Sequence, residues 1–443
     1  MSNTSYTNIY VDDSVINVAR DVIQQQVTGD AFFVCDVRDL EYKVNLWRSE
    51  MPNVTPFFAV KCCTDLVVLR TLSSLGVNFD CSNKVEIEIV MQLGVSPERI
   101  VFANPIKSVE DLDYAKRNNV TLMTFDSTDE LDKIRDKNAR LLLRIQGNTV
   151  GCGITMNNKF GCSLADASKV LRKARCRNLN IAGVSFHIGA AFKHPTVFQR
   201  TIEDAKAVFD VGRELGFKMD TLDIGGGFPG GARKLESFVE LCCIIRDAID
   251  TNFPPSSCVN IIAEPGQFFV TSAYTLITKV VGIRKNVMTI EGKFCEHRDV
   301  FINESKCNTI NRDLSELMDI HISPLEPPVN RPRDILTTIW GATCHPWDMI
   351  VDRSHFFAVA DGEWLVFDNM GAYTLVSASG FNGFGFPRVH YIASAACLPL
   401  VEFAVIATRA RSGYGHLERV LEPRPLEVSS SPCTYPEYSF NPR

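Results

Sequence analysis

From about residue 56 the chain alternates short apolar runs with longer stretches of helical spacing, and it does so eight times. The runs are Phe57–Val60, Asn78–Cys81, Arg99–Phe102, Thr121–Thr124, Leu141–Arg144, Val184–His187, Thr221–Ile224 and Ile261–Glu264. Between them lie amphipathic segments such as Ser108 to Asn118 and Thr196 to Leu215, where Val197, Ile202, Ala205, Val208 and Phe209 share one helical face. Parallel strands need crossover connections, so eight strand–helix units over roughly 220 residues predict a closed (β/α)8 barrel. A doubly wound sheet is the structural alternative. Beyond Ser272 the runs Thr275–Val281, Phe356–Ala360 and Trp364–Phe367 follow one another without long helices, which predicts a mainly antiparallel β domain. The expected organisation is an N-terminal segment, 1–30, packing on the β domain, a barrel over 31–272, the β domain over 273–405, and a disordered tail over 406–443. The tail carries Pro423, Pro425, Pro432, Pro436 and Pro442 among few apolar residues.

Two such units suit a chain of 443 residues, more than a single hydrophobic core usually supports. Hydrophobic residues make 45%, charged ones 22%, and mean hydropathy is +0.01. No apolar run approaches the roughly 18 residues of a membrane span. The net charge of −6 comes without a basic block, which argues against nucleic-acid or anionic-membrane partners and for a small-molecule enzyme. The fifteen cysteines are odd in number and lack a disulfide framework, and Met1 to Asp13 is polar with no apolar signal region. A reduced, cytoplasmic chain is the expectation. Adjacent pairs such as Cys62-Cys63 and Cys242-Cys243 lack the gap of zinc knuckles, so no metal is expected.

Reacting groups of a (β/α)8 barrel gather at the C-terminal ends of its strands. Here those ends are polar: Lys61, Asp80, Arg144, His187, the triplet Gly225-Gly226-Gly227, and Glu264. Consecutive glycines let backbone N–H groups approach an anion without Cβ obstruction, and the loops after strands seven and eight often hold a phosphate. A strand-end amine, a glycine-rich phosphate loop and a carboxylate together meet the needs of pyridoxal 5′-phosphate.

Several segments resemble eukaryotic ornithine decarboxylases in matching order. They are Pro56–Cys62 (PFFAVKC), Gly183–Gly189 (GVSFHIG), Leu222–Gly230 (LDIGGGFPG), Glu264-Pro265-Gly266, Trp340–Cys344 (WGATC) and Asn369–Thr374 (NMGAYT). The resemblance runs from about residue 30 to 395. It implies a pyridoxal-phosphate enzyme with an alanine-racemase-like barrel and a C-terminal β domain, working as a homodimer with active sites at the subunit interface. By the same resemblance Lys61 would carry the cofactor as a Schiff base, Asp80 would lie beside it, and His187 would stack on the ring. Gly225, Gly226, Gly227 and Tyr373 would hold the phosphate. Glu264 would pair with the pyridinium nitrogen, with Arg144 supporting the ring. Cys344 of a neighbouring subunit would protonate the α-carbon after carbon dioxide leaves. Lys159, Asp348 and Gly371 match positions of the dimer interface.

Four departures bear on function. The family's Glu-Pro-Gly-Arg reads Glu264-Pro265-Gly266-Gln267, exchanging a phosphate-binding guanidinium for an amide at a cost of roughly 1.5–3 kcal/mol. A phosphate-binding serine is Ala190. The family's Cys-Asp, whose Asp receives the distal ammonium of ornithine, is Cys344-His345. The second acid of that site aligns with Asp319, preceded by Met318 where the family has an aromatic residue. With His345, Asp319, Phe381 and their neighbours lining it, the substrate pocket is more apolar than one built for ornithine. The expected function is decarboxylation of an uncharged aliphatic amino acid such as leucine. The alternatives are an inactive, antizyme-binding regulator of polyamine metabolism and a weak ornithine decarboxylase.

Overall fold

A computed structural model describes residues 8–290, 292–310 and 319–413. Its centre is a closed barrel of eight parallel strands: Val54–Ala59, Asn78–Cys81, Ile100–Phe102, Leu122–Phe125, Arg140–Ile145, Asn180–Phe186, Thr221–Asp223 and Asn260–Ala263. Each apolar run of the sequence supplies one strand, and the eighth pairs with the first through Ile261↔Val54. Phe57, Val101, Leu122, Leu142, Ala182 and Ile262 fill the interior as one cluster. Small and large side chains from different strands interlock there, so the barrel is a packed core rather than a pore. The crossover helices begin on side-chain caps: Ser108 Oγ accepts from Asp111 N–H at 3.0 Å ahead of helix Val109–Arg117. Helix Thr196–Glu214 buries all five of its expected apolar residues.

Residues 32–36, expected within the barrel, belong to the other domain. Strand Phe32–Asp36 lies between Tyr274–Ile290, antiparallel to it, and Arg388–Ala393, parallel to it, while Ile9–Val11 extends the same sheet. The chain therefore passes through the β domain before it builds the barrel, whose first helix is Val37–Glu50. The rest of the sheet is Tyr274–Ile290 against Lys293–Ile302, then Ile335–Trp340 and Met349–Phe356, with Trp364–Phe367 and Ile322–Pro324 on a branch. The run Phe356–Ala360 is not a strand: the ladder ends at Phe356, and Ala358 N–H turns to Pro332 O at 2.8 Å. Helix Leu398–Gly413 carries the ordered chain past the expected boundary at 405. The expected tail from 414 onward, and Met318, lie outside the described residues. None of the described helices is long and apolar enough to cross a membrane.

The two domains are tied at one carboxylate. Asp65 Oδ1 caps helix Leu66–Ser74 through Val67 N–H at 2.8 Å. Its Oδ2 accepts from Tyr274 Oη and Tyr391 Oη, both at 2.8 Å and both from the β domain. Burial pushes both phenols well above their usual range, and the Asp65 charge adds to it, so each stays a donor. Asp65→Ala strands two buried hydroxyls and a helix start. The expected loss is about 2–4 kcal/mol, visible as a lower melting temperature, with Asp65→Asn milder because its amide oxygen still accepts.

Candidate active site

Strand one ends in a short turn, Val60–Cys62, that lifts Lys61 over the barrel mouth. Strand two places Asp80 opposite Ala59 in register, and the Lys61 ammonium pairs with Asp80 Oδ2. Asp80 is fully buried, and its Oδ1 has no partner among the described residues. Arg144, on strand five, is 7% exposed, lies 5.1 Å over the Phe160 ring, and likewise has an unpartnered Nη2. Glu264, after strand eight, is 6% exposed. These groups converge on a cavity of about 430 Å³ lined by Lys61, Arg144, His187, Gly227, Glu264 and Tyr373. The more apolar part of its wall includes Ile154, Met156, Phe160 and Ala190.

The glycine triplet is sterically required. Gly225 has φ +66°, and a Cβ there would meet Phe186 O at 2.2 Å; one on Gly226 would meet Glu264 O at 2.6 Å and His187 Nε2 at 3.0 Å. Only a bare backbone fits between these atoms, and Gly227 of the triplet lines the cavity. Gln267 and Ala190, the two departures on the phosphate side, also line it, and Gln267 is 8% exposed.

His187 is neutral. Gly189 N–H donates to its Nδ1 at 3.0 Å, which leaves the ring proton on Nε2. Burial, then the Arg144 and Lys61 charges, push its pKa down to about 3. Lys61 behaves oppositely. Burial works against its ammonium, but Asp80, then Glu264, outweigh burial and raise its pKa. Tyr373 is held at φ +56° with its N–H on Cys62 O at 3.0 Å, and burial pushes its phenol up.

Asp223 was not among the expected site residues. It is fully buried on strand seven, accepts from Gly225 N–H at 2.9 Å and lies within side-chain hydrogen-bond reach of Glu264. Asp223 and Glu264 are neighbouring carboxyls, and burial followed by mutual repulsion raises Glu264 well above its usual range. Such a pair retains one proton. The signal was present in the sequence as an acid inside the apolar run Thr221–Ile224.

The other expected residues lie outside this cavity. Cys344 and His345 are exposed on a β-domain loop, with Cys344 N–H on Asn382 Oδ1 at 2.9 Å and His345 edge-on to Phe381 at 6.1 Å. Asp319 is engaged by Arg233 at 3.0 Å. Lys159 is exposed beside Phe160. Asp348 and Gly371, expected at a dimer interface, are both buried within one chain. The Asp348 carboxylate is 1% exposed and accepts from Ser305 Oγ, Lys306 N–H, Thr343 N–H and Thr343 Oγ1. A Cβ on Gly371 would meet Val270 O at 1.7 Å, so close packing inside the chain already demands glycine.

The residues present fit pyridoxal phosphate. A lysine amine, the Glu264 carboxyl, a neutral imidazole and the glycines Gly189, Gly227 and Gly266 line the cavity, and the buried Arg144 Nη2 has no partner among the described residues.

The buried carboxyl pair makes stability depend on pH. Burial raises Asp223 to about 6 from its ordinary 3.8. A raised carboxyl contributes stability below its unfolded pKa and loses it as pH rises through the folded value. Without cofactor, the wild type is therefore expected to lose about 2–3 kcal/mol relative to Asp223→Asn between roughly pH 4 and 6. Parallel melting curves of the two proteins across that range would contradict the shared proton.

Comparison with known proteins agrees with this geometry. The family model described as pyridoxal-dependent decarboxylase, pyridoxal binding domain, matches residues 37–271. Ornithine decarboxylase of Rattus norvegicus is 37% identical over 393 residues, covering 85% of each chain. Antizyme inhibitor 2 of Xenopus laevis is 36% identical over 404 residues, covering 86% of this chain and 88% of that one. The crystal structure of the Paramecium bursaria Chlorella virus arginine decarboxylase bound to agmatine superposes with a TM-score of 0.78 at 32% identity, covering 85% of this chain and all of that one. With its barrel, its cradle and its lysine–carboxylate site, the chain belongs to the pyridoxal-phosphate-dependent decarboxylases of the ornithine decarboxylase type.

Proposed function

We propose that this chain decarboxylates an amino acid with an uncharged aliphatic side chain, leucine-like rather than ornithine, and that it works as a homodimer in the cytoplasm. The observation that carries the reading is His345. It follows Cys344 where the family has an acid, and its ring packs edge-on against Phe381. The second candidate acid, Asp319, is already neutralised by Arg233. A distal ammonium placed among these groups would be desolvated without full compensation, a penalty of several kcal/mol.

When bound, pyridoxal phosphate supplies an aldehyde that takes up the amine and a ring that accepts electrons as carbon dioxide departs. Lys61 would hold that aldehyde, the backbone of Gly225–Gly227 and Tyr373 the phosphate, and Glu264 the ring nitrogen. Neutral His187 presents a flat face with no charge to oppose a ring cation. In the free chain Asp80 pairs with the Lys61 ammonium and orients it; Lys61 would give up that proton on taking the aldehyde, and Asp80 would stay beside it. Ile154, Met156 and Phe160 give the cavity an apolar wall against which a substrate carboxylate would be desolvated. Cys344, supplied by a second copy of the chain, would then give its thiol proton to the α-carbon.

The antizyme-inhibitor-like reading is supported by the 36% identity to antizyme inhibitor 2. It predicts a colourless protein without activity. The test is direct: load the protein with pyridoxal phosphate and measure carbon dioxide release from leucine, valine, ornithine and lysine. Release from leucine, abolished in Lys61→Ala, supports the enzyme; no release from any supports the regulator. His345→Asp is expected to raise the ornithine-to-leucine activity ratio by about tenfold or more, and an unchanged ratio contradicts the specificity argument. Gln267→Arg is expected to tighten cofactor binding by roughly 10- to 100-fold, measured by absorbance titration.

A further inference from the structure

A second cavity, about 700 Å³, opens between the N-terminal segment and the β domain and shares no lining residue with the barrel site. Val22, Phe32, Phe384 and Phe386 supply its apolar lining. Its polar lining includes Glu304, 2% exposed, and Asn308, 5% exposed. Glu304 accepts from Ser305 N–H at 2.8 Å. Asn308 spends its Nδ2 on Gly385 O at 3.0 Å, while its Oδ1 has no partner among the described residues. A buried carboxyl and an unsatisfied carbonyl oxygen thus face a space whose one lysine or arginine is Arg388, an exposed residue.

We propose that this cleft binds an alkylammonium ligand, with its charge beside Glu304, an N–H donated to Asn308 Oδ1, and its hydrocarbon body against Phe32 and Phe384. Asn308 Oδ1 costs free energy when buried without a donor, and the Glu304 carboxylate, though hydrogen-bonded by Ser305 and Thr309, costs it when ionised without a counter-charge; an ammonium supplies donor and charge together. Burial pushes the Glu304 carboxyl up to about 7, so a neighbouring cation ionises it readily near neutral pH. An anion or a neutral hydrocarbon would leave Asn308 Oδ1 without a donor and an ionised Glu304 without a counter-charge. The ammonium has two sources, a free amine or an α-amino acid, and in the second case Arg388 would face the ligand carboxylate.

The probes are N,N-dimethylbutylamine and N,N-dimethylleucine, tertiary amines that retain an N–H but form no Schiff base with the cofactor aldehyde. Calorimetric titration of the holoenzyme is expected to show one saturable site per chain for the amine, preserved in Lys61→Ala and at least tenfold weaker in Glu304→Gln. Arg388→Gln, a surface change, is expected to tighten the amine severalfold by removing a like charge. Tighter binding of dimethylleucine that is lost in Arg388→Gln supports the site with an amino acid as its ligand; equal or weaker binding supports it with a free amine. Absence of saturable binding overturns the proposal, as does an affinity unchanged in Glu304→Gln. If circular dichroism shows Glu304→Gln unfolded, an amine affinity unchanged in Arg388→Gln overturns it instead.

Discussion

Three carboxyl groups against two cations set the terms for everything at the barrel mouth. Asp80, Asp223, Glu264 and Arg144 are buried around a half-buried Lys61, and His187 adds no charge because its Nδ1 accepts a backbone hydrogen bond. The cluster is one positive charge short. In the free chain a proton on the Asp223–Glu264 pair makes up the difference, since two adjacent carboxylates in a low-dielectric site do not both ionise. A protonated pyridine ring would make it up in another way, and the same imbalance that strains the free site favours the cationic form of the cofactor. Asp223 thereby matters without touching the cavity.

This charge cluster exists because the barrel closes. Each contributor sits at the end of a different strand, and parallel register brings Asp80 beside Ala59 and Arg144 beside Ser185. Side chains far apart in sequence meet on one rim because eight strands point the same way. The glycine triplet belongs to the same logic: the chain must leave strand seven so close to Phe186 O and Glu264 O that no side chain fits. Asp65 then fixes the β domain to the barrel only a few residues beyond Lys61, so the loop bearing the amine is anchored on the side where the second domain begins.

The barrel was legible because its signals are local. Strands buried on both faces read as continuous apolar runs, crossover helices read as amphipathic segments, and a polar residue at the end of each run marks the rim. What escaped was non-local. Phe32–Asp36 pairs with partners more than two hundred residues away, and nothing in its own five residues says which sheet it joins. Asp223 carried a local mark, an acid in an apolar run, but its meaning lies in a neighbour on the next strand. Asp348 and Gly371 carry contacts that their place in the sequence does not announce. The family resemblance puts both at an interface; within the chain the loop 305–306 wraps the carboxylate and the Val270 carbonyl crowds the glycine, and neither contact leaves a trace in sequence spacing.

On the proposed reading, the half of the site that governs specificity does not assemble within one chain. Cys344 and His345 are exposed, Trp347 is 74% exposed and Phe381 45%, so a cluster of aromatic and reactive groups faces solvent beside a loop held rigid from beneath by buried Asp348. A rigid exposed aromatic patch is costly to maintain unless something covers it. On the proposed dimeric reading, the covering surface is the barrel mouth of a second copy, and Asp348 contributes by fixing the loop rather than by reaching across. Specificity and proton delivery then depend on the same loop. A change at His345 alters which side chain is accepted only so long as the Asp348 hydrogen bonds keep Cys344 within reach of the reacting carbon.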